Sequence, residues 1–243
     1  TDALTLRTDV DRPATVGVLT APLSSGPRHR WDETSVLTVQ VEGRAPESRS
    51  EAAVLAGANA VAVETPAGWE LLQFRQADLL GDDVWRLSGL LRGQQGTEAA
   101  MRVGAGAGAI AVLLDAVPPK VLSPRTERGL PLLWRAGPTG LPGGRGVSEL
   151  HWTPRGLHDR PWSPAHLRCR ARSNGDYDLT WAPRARLDGD RWDGEIAASD
   201  PSRFRVQVIH EGAPVRSVEV ETAAVVYAGA DVGADFPAGP PEG

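Results

Sequence analysis

The stretch SVLTVQVE, residues 35–42, alternates apolar and polar side chains with a period of two. Leu37, Val39 and Val41 therefore share one face of an extended chain, which is typical of a half-buried β-strand. The same alternation continues outward from this stretch. It predicts further strands at residues 59–64 and 69–76, and residues 84–91 and 110–114 are additional strand candidates. The alanine-rich residues 47–58 are the best candidate for a helix, and residues 1–122 are predicted to form a mostly β domain.

The length and composition of the chain limit the number of domains and exclude several classes of protein. The chain has 243 residues, of which 41% are hydrophobic, and a net charge of −5, which suits one large domain or two smaller ones. Its single cysteine, Cys169, excludes an intrachain disulfide. No apolar run is long enough for a membrane-spanning helix, and no basic block favours nucleic acid. The chain begins at Thr1 without a methionine, so we expect it to be part of a longer protein.

The composition changes after residue 122. Residues 123–160 are rich in proline and glycine and are predicted to form a connector. Alternation resumes in residues 161–243, where Asn174-Gly175 predicts a two-residue hairpin loop. The chain is thus predicted to contain two β-rich domains in series.

The second alternating region resembles the opening half of a fibronectin type III domain. The resemblance is carried by Pro164, Leu167, Trp181 and Phe204. Such a sandwich has about seven strands, whereas residues 161–243 supply five or six. The fold class predicted for the whole chain is therefore mostly β: a β-rich domain followed by an incomplete fibronectin type III-like β-sandwich.

Two segments have some features of ligand-binding motifs, but each departs from its motif. Residues 104–109 have the glycine spacing of a dinucleotide-binding loop, yet the strand-like run follows the glycines instead of preceding them. Residues 188–195 are acidic like a calcium-binding loop, but Trp192 and Asp193 break the required register. Both segments are better explained as loops between strands.

The histidines and the paired acidic residues do not have the spacing that a metal site or a catalytic site requires. The five histidines, which are His29, His151, His158, His166 and His210, include no pair at metal-ligand spacing. The acidic pairs Asp32-Glu33 and Asp82-Asp83 are adjacent, and adjacent residues of a strand point to opposite faces. We therefore predict no catalytic residue, no cofactor-binding residue and no metal ligand.

The segment WRLSGLLRGQQGTE, residues 85–98, has more glycine and glutamine than an ordinary strand. Its simplest interpretation is a strand that ends in a glycine-hinged turn, followed by a helix capped by Thr97. The same segment, together with LLQFRQADLLGDDVW before it and IAVLLD after it, resembles a signature of tail-tip proteins of tailed phages. The resemblance is strongest to the large baseplate (megatron) protein family of gene transfer agents. Three segments from residue 160 onward resemble the C-terminal sandwich of that family: RPWSPAHLR, DLTWAPRARLDGDRWDG and FRVQVIHEGAPVRSVEV.

This resemblance implies a structural role in the baseplate of a phage-like particle that is released from a bacterial cytoplasm on lysis. It implies hub and distal tail proteins as partners, a homotrimer at the tail tip, and contact with the recipient-cell surface. It also implies that the chain is not an enzyme, since any hydrolytic domain of the family would lie upstream. The alternative is a carbohydrate-binding module for cell-surface polysaccharide. For the structural role in the baseplate, the candidate residues of the contact surface are Trp31, Trp69, Trp134, Trp152, Trp162 and Trp192.

Overall fold

A computed structural model of the chain describes residues 4–114, 121–138, 146–185 and 203–239. The chain divides into two compact units, Thr1–His158 and Asp159–Gly243. Most of the elements are β-strands, which confirms the predicted fold class. None of the described helices is long and apolar enough to span a membrane.

The first unit is built on one large antiparallel sheet. Its strands are β1 (Val16–Leu19), β2 (Trp31–Asp32), β3 (Leu37–Glu42), β4 (Ala60–Thr65), β5 (Gly68–Gly81), β6 (Val84–Gln94) and β7 (Ile110–Leu113). Strands β3 to β7 confirm the five alternating stretches of the sequence, although β5 and β6 are longer than predicted. Strands β1 and β2 were not predicted, because four and two residues are too few to establish a period.

Six of these strands close into a barrel. The order β6-β3-β1-β7-β4-β5 is antiparallel throughout, and β5 pairs back with β6. The short strand β2 adds to β6 outside this ring. Closure pairs each barrel strand on both sides, so the ring has no open edge for another chain to extend.

Apolar side chains fill the barrel interior, as the small size of a six-stranded barrel requires. Strands β1, β3, β4, β5 and β7 bury side chains at alternate positions, whereas β6 buries Leu87 and Leu90, which are three residues apart. The buried cluster consists of Leu19, Leu23, Leu37, Val39, Val41, Val61, Val63, Leu72, Phe74, Leu87, Leu90, Ala105, Ala111 and Leu113. This core makes the barrel a solid scaffold for the loops at its ends.

Two short helices pack on the barrel. Helix α1 (Glu51–Leu55) begins after Ser50, whose hydroxyl accepts a hydrogen bond from the Ala53 amide at 3.3 Å. It is shorter than the helix predicted over residues 47–58. Helix α2 (Glu98–Val103) follows β6 directly and buries Ala100 and Met101 against β5 and β6.

The proline- and glycine-rich segment contains more structure than the predicted connector. A 3₁₀ turn at Arg125–Glu127 is followed by a hairpin of β8 (Leu132–Ala136) and β9 (Ser148–Trp152). A second 3₁₀ turn covers Leu157–Asp159. The hairpin was missed because the glycines and prolines between its strands obscure the short alternation on either side.

The described residues of the second unit form two small antiparallel sheets. Strands β10 (Trp162–Ala171), β11 (Tyr177–Arg184) and β14 (Ala224–Tyr227) form one, and β12 (Phe204–His210) and β13 (Ala213–Val220) form the other. Trp181 of β11 meets Phe204 of β12 edge to face, with ring centroids 5.3 Å apart. Helix α3 (Gly229–Asp235) follows β14. The two sheets are thus in contact through Trp181 and Phe204, two of the residues that carry the resemblance to a fibronectin type III domain.

The hairpin predicted at Asn174-Gly175 is present, but its predicted loop length is wrong. The Gly175 amide donates to the Arg172 carbonyl at 3.1 Å, and the Arg172 amide donates to the Asp176 carbonyl at 2.8 Å. Three residues therefore form the loop, and only Gly175, with φ +85°, adopts the left-handed conformation. This is the turn expected when a type I turn is followed by a left-handed glycine.

Candidate functional site

Three charged side chains meet inside the barrel and are almost completely buried. Arg92 donates from Nε to Glu70 Oε1 at 2.7 Å and from Nη2 to Glu70 Oε2 at 2.9 Å. Its Nη2 also donates to the Ser24 carbonyl at 3.0 Å. Arg92 Nη1 lies 3.5 Å from Asp32 Oδ2. We call Asp32, Glu70 and Arg92 the buried charged cluster.

The β-structure brings this cluster together from three strands. Glu70 shares the inward face of β5 with Leu72 and Phe74. Arg92 lies two residues after the buried Leu90 of β6, and β2 pairs Asp32 with Leu90. Arg92 of β6 therefore binds Glu70 of β5 by charge-assisted hydrogen bonds and faces Asp32 of β2 as an ion pair without a hydrogen bond.

The surrounding backbone seals the cluster. A Cβ atom added to Gly26 would lie 2.6 Å from Asp32 Oδ2 and 2.8 Å from Arg92 Nη1, so only glycine fits there. The Gly93 amide donates to Glu70 Oε1 at 3.1 Å. Because the three charged side chains are closed off in this way, we assign the cluster a structural role.

Asp32 is held in its ionised form by its neighbours. Burial alone would raise the pKa of Asp32, but hydrogen bonds from Ser35 and Thr34 outweigh it and leave the pKa below its ordinary value. The Ser35 amide donates to Oδ1 at 2.9 Å, and the Thr34 hydroxyl donates to the same oxygen at 3.0 Å. Asp32 therefore stays charged opposite Arg92 at neutral pH.

The turn that follows Arg92 connects the barrel to the segment after β9. The Thr97 hydroxyl donates to the Gln94 carbonyl at 2.7 Å and accepts from the Leu71 amide at 2.9 Å. Helix α2 does begin after Thr97, but the predicted side-chain cap is wrong, since this hydroxyl makes no cap hydrogen bond. A Cβ atom at Gly96 would lie 2.0 Å from the Leu157 carbonyl oxygen, so the later segment packs directly on this turn.

A second charged cluster lies in the second unit. Asp235 of α3 accepts from Arg216 Nε at 2.6 Å and from the Tyr227 hydroxyl at 2.6 Å. These hydrogen bonds lower the pKa of Asp235. Burial and the contact with Asp235 raise the pKa of Tyr227 to about 12. The cluster fastens α3 to β13 and β14.

The tryptophans that the sequence proposed for a binding surface differ in exposure. Trp69 and Trp152 are exposed, Trp31, Trp134 and Trp162 are half-buried, and Trp192 lies outside the described residues. Trp134 and Trp152 meet on the β8–β9 hairpin with centroids 5.9 Å apart and ring planes at 67°. This angle means that the two rings do not form one flat surface.

The remaining candidate residues are dispersed. Residues 104–109 follow α2 and precede β7, the order opposite to a dinucleotide-binding loop, and residues 188–195 lie outside the described part of the chain. Asp32 is buried, whereas Glu33 is exposed and pairs with Arg75. The pair Asp82-Asp83 forms the turn between β5 and β6. Among the described residues, no three metal-binding side chains come close enough to share an ion.

Sequence reasoning missed Glu70 and Arg92, although a signal was present. Glu70 lies on the same face of the predicted strand as Leu72 and Phe74, because the three are two residues apart. A carboxylate that points into the core could therefore have been inferred. A buried carboxylate needs a partner of opposite charge. Arg92 is two residues after Leu90 and lies on the same face of the strand, so it was a candidate. Asp32 gave no such signal, because β2 has only two residues.

Comparison with known families connects the barrel to one of them. Residues 14–112 match the family described as Rcc01698-like, C-terminal, which is a gene-transfer-agent-associated family. The matched range begins just before β1 and ends within β7, so it coincides with the barrel. It includes the whole buried charged cluster and the Gly96 turn. No curated protein matches the chain.

Proposed function

We propose that this chain is a structural component of the tail tip, or baseplate, of a gene transfer agent or tailed-phage-like particle. The observation that carries the proposal is the coincidence of the family match at residues 14–112 with the closed barrel. The chain would contribute to baseplate assembly and to contact with the recipient cell. It would act by binding and not by catalysis.

The construction of the barrel supports such a role. A closed ring of strands around a filled core resists deformation, and a buried ion network fixes the loops at one end. In a particle, such a scaffold would hold outer segments in fixed positions against neighbouring subunits. The proposed neighbours are the hub and distal tail proteins, together with two further copies of this chain.

Exposed apolar side chains supply candidate contact surfaces. Leu79 and Leu80 near the end of β5 are more than half exposed, as is Leu150 on β9. Trp69 and Trp152 are also exposed, and tryptophan is enriched among residues that dominate interface energies. These side chains are proposed to be covered by other baseplate subunits.

Immunogold electron microscopy of a producer-cell lysate tests the proposal. An antibody raised against this chain is expected to label the tips of tailed particles and to follow them through a density gradient. Labelling of particle heads, or antigen that stays soluble while particles sediment, would contradict the baseplate assignment. Particles from cells that lack the gene serve as the control for antibody specificity.

A further inference from the structure

The β8–β9 hairpin is a two-stranded ribbon with one apolar face. Its register pairs Leu132 with Trp152 and Trp134 with Leu150, so these four side chains share a face. Leu150 is 61% exposed and Trp152 is 47% exposed. A ribbon of two strands is marginally stable unless further strands or a packed layer join it. The chain therefore leaves this ribbon only partly covered.

The opposite face of the ribbon is mostly polar. The register pairs Leu133 with His151 and Arg135 with Glu149. Arg135 Nε donates to Glu149 Oε1 at 2.7 Å. Strand β9 thus carries an acid and an imidazole two residues apart on this face.

Strand β9 is an open edge of the ribbon. Among the described strands it pairs only with β8, and all five of its residues are exposed. The edge strand β10 has Pro164 and two register shifts, which are features that block pairing with another chain. Strand β9 has neither a proline nor a bulge. Its edge is therefore able to accept another strand.

We propose that β9 pairs antiparallel with β9 of a second copy of this chain. The pair is centred on Leu150, which lies opposite Leu150 of the second copy. Glu149 then lies opposite His151 of the other copy, and Ser148 lies opposite Trp152. This register pairs all five residues of the strand. A pair centred on Glu149 would instead place two carboxylates opposite each other.

Complementary side chains favour this register. An imidazole N–H donates to a carboxylate whether the ring is neutral or protonated, so Glu149 of each copy binds His151 of the other. The hydrogen bond from Arg135 to Glu149 is kept, because a carboxylate accepts at both of its oxygens. The apolar faces of the two ribbons become one continuous face, which other baseplate subunits are then able to cover.

The other edge of the ribbon is less suited to pairing with its own copy. An antiparallel pair of two β8 strands centred on Trp134 would place Leu133 opposite Arg135, an apolar side chain against a charged one. Arg7 also lies over the Trp134 ring, with its guanidinium carbon 5.8 Å from the ring centroid. The choice between the two edges therefore falls on β9.

A two-fold contact of this kind is closed, so it joins two copies and no more. The inference goes beyond the proposed function, because it assigns an edge through which the chain binds itself with or without other baseplate subunits. The three copies proposed at the tail tip would be held together by other surfaces.

Sedimentation velocity of the whole chain over a range of concentrations tests the inference. We expect a reversible dimer with a dissociation constant on the order of 10 µM, as for a small contact. His151→Glu would place two carboxylates opposite each other and is expected to weaken the dimer tenfold or more. His151→Arg is its matched control, because it places a cation opposite Glu149 and should keep the dimer at least as tight.

A second pair of variants distinguishes β9 from the other open edge. Leu150→Lys would bring two ammonium groups together on the two-fold axis and is expected to weaken the dimer tenfold or more. Leu167→Lys is the matched control, since Leu167 is 71% exposed on β10, and it should leave the dimer unchanged. Thermal unfolding of each variant verifies that a lost dimer does not reflect lost folding.

Disulfide cross-linking locates the axis directly. Cys169 is exposed, so the experiment uses a Cys169→Ser background. Residues directly opposite in an antiparallel pair have Cβ atoms about 4.5–5.5 Å apart, so Leu150→Cys is expected to give a linked dimer with oxidised glutathione. Leu133→Cys, at a position that is 41% exposed on β8, should stay unlinked.

Three outcomes would overturn the inference. One is a chain that stays monomeric tenfold above the expected dissociation constant. The second is a dimer that Leu167→Lys weakens and Leu150→Lys does not, and the third is an equal effect of His151→Glu and His151→Arg. These outcomes leave the baseplate proposal intact, just as antigen absent from particles would leave the pairing of β9 intact.

Discussion

Glu70 and Arg92 place opposite charges inside the barrel, where neither side chain is accessible to water. Replacing Glu70 by glutamine keeps its size but leaves the guanidinium without its principal counter-charge. Glu70→Gln is therefore expected to lower the free energy of unfolding by about 3 kcal/mol, as for a buried ion pair that loses one partner. Chemical denaturation measures the loss.

Glu51→Gln is the matched control for this substitution. Glu51 pairs with Arg75 at 3.2 Å but is 56% exposed, so its loss should cost less than about 1 kcal/mol. Equal effects of the two substitutions would mean that burial does not make the Glu70 pair important.

Asp32 makes the stability of the barrel depend on pH. Because its pKa is lowered by folding, ionised Asp32 stabilises the folded state above the ordinary carboxyl pKa of 3.8, and this contribution disappears as the pH falls below that value. The difference in free energy of unfolding between the wild-type protein and Asp32→Asn is thus expected to be largest near pH 6 and to shrink below pH 3.8. Asp78→Asn removes only an exposed partner of Arg86, so its difference should stay small throughout. If the difference in free energy of unfolding between the wild-type protein and Asp32→Asn grew as the pH fell, the prediction would be contradicted.

Gly96 is in direct packing contact with the segment after β9. Gly96→Ala combines a left-handed φ of +86° with a contact between the new Cβ and the Leu157 carbonyl oxygen. Gly68→Ala has a similar φ of +109° but open space around the new atom, so it reports the backbone strain alone, which is about 1 kcal/mol. Gly96→Ala is expected to cost about 1 to 3 kcal/mol more than Gly68→Ala. Chemical denaturation compares the two variants, and equal losses would show that the contact with Leu157 does not constrain the turn.

At the level of the strands, the inner face of the second unit is only partly covered. Trp181 is 8% exposed against Phe204, whereas Leu167 of the neighbouring β10 is 71% exposed. Trp181→Ala is expected to cost about 3 to 5 kcal/mol, and Leu167→Ala to stay within about 0.5 kcal/mol. Thermal unfolding followed by circular dichroism measures both. A large loss for Leu167→Ala would mean that β10 is covered in solution.

The strands also show what local sequence can predict. Residues 35–42 and 59–64 could be predicted because apolar side chains recur there at every second position, and residues 110–114 because they form a short apolar run. The pairing of β5 with β6 that closes the barrel could not be predicted, because strand pairing depends on register and twist and leaves no local sequence pattern. The packing of Leu157 on Gly96 could not be predicted either, because the two residues are 61 positions apart and their contact leaves no local pattern.

The two units of the chain have cores of very different size. The first has the continuous apolar cluster of the barrel, whereas the buried hydrophobic side chains described in the second are only Trp181 and Val232. Since separate cores unfold separately unless a large interface couples them, differential scanning calorimetry is expected to resolve two transitions, with the second unit melting first.

Substitutions in each core assign the two transitions. Val61→Ala, which removes buried methyl groups in the barrel, costs about 2 kcal/mol and should lower only the upper transition, by about 5 °C. Trp181→Ala should lower or abolish only the lower one. A single transition that moves with either substitution would instead mean that the two units unfold as one.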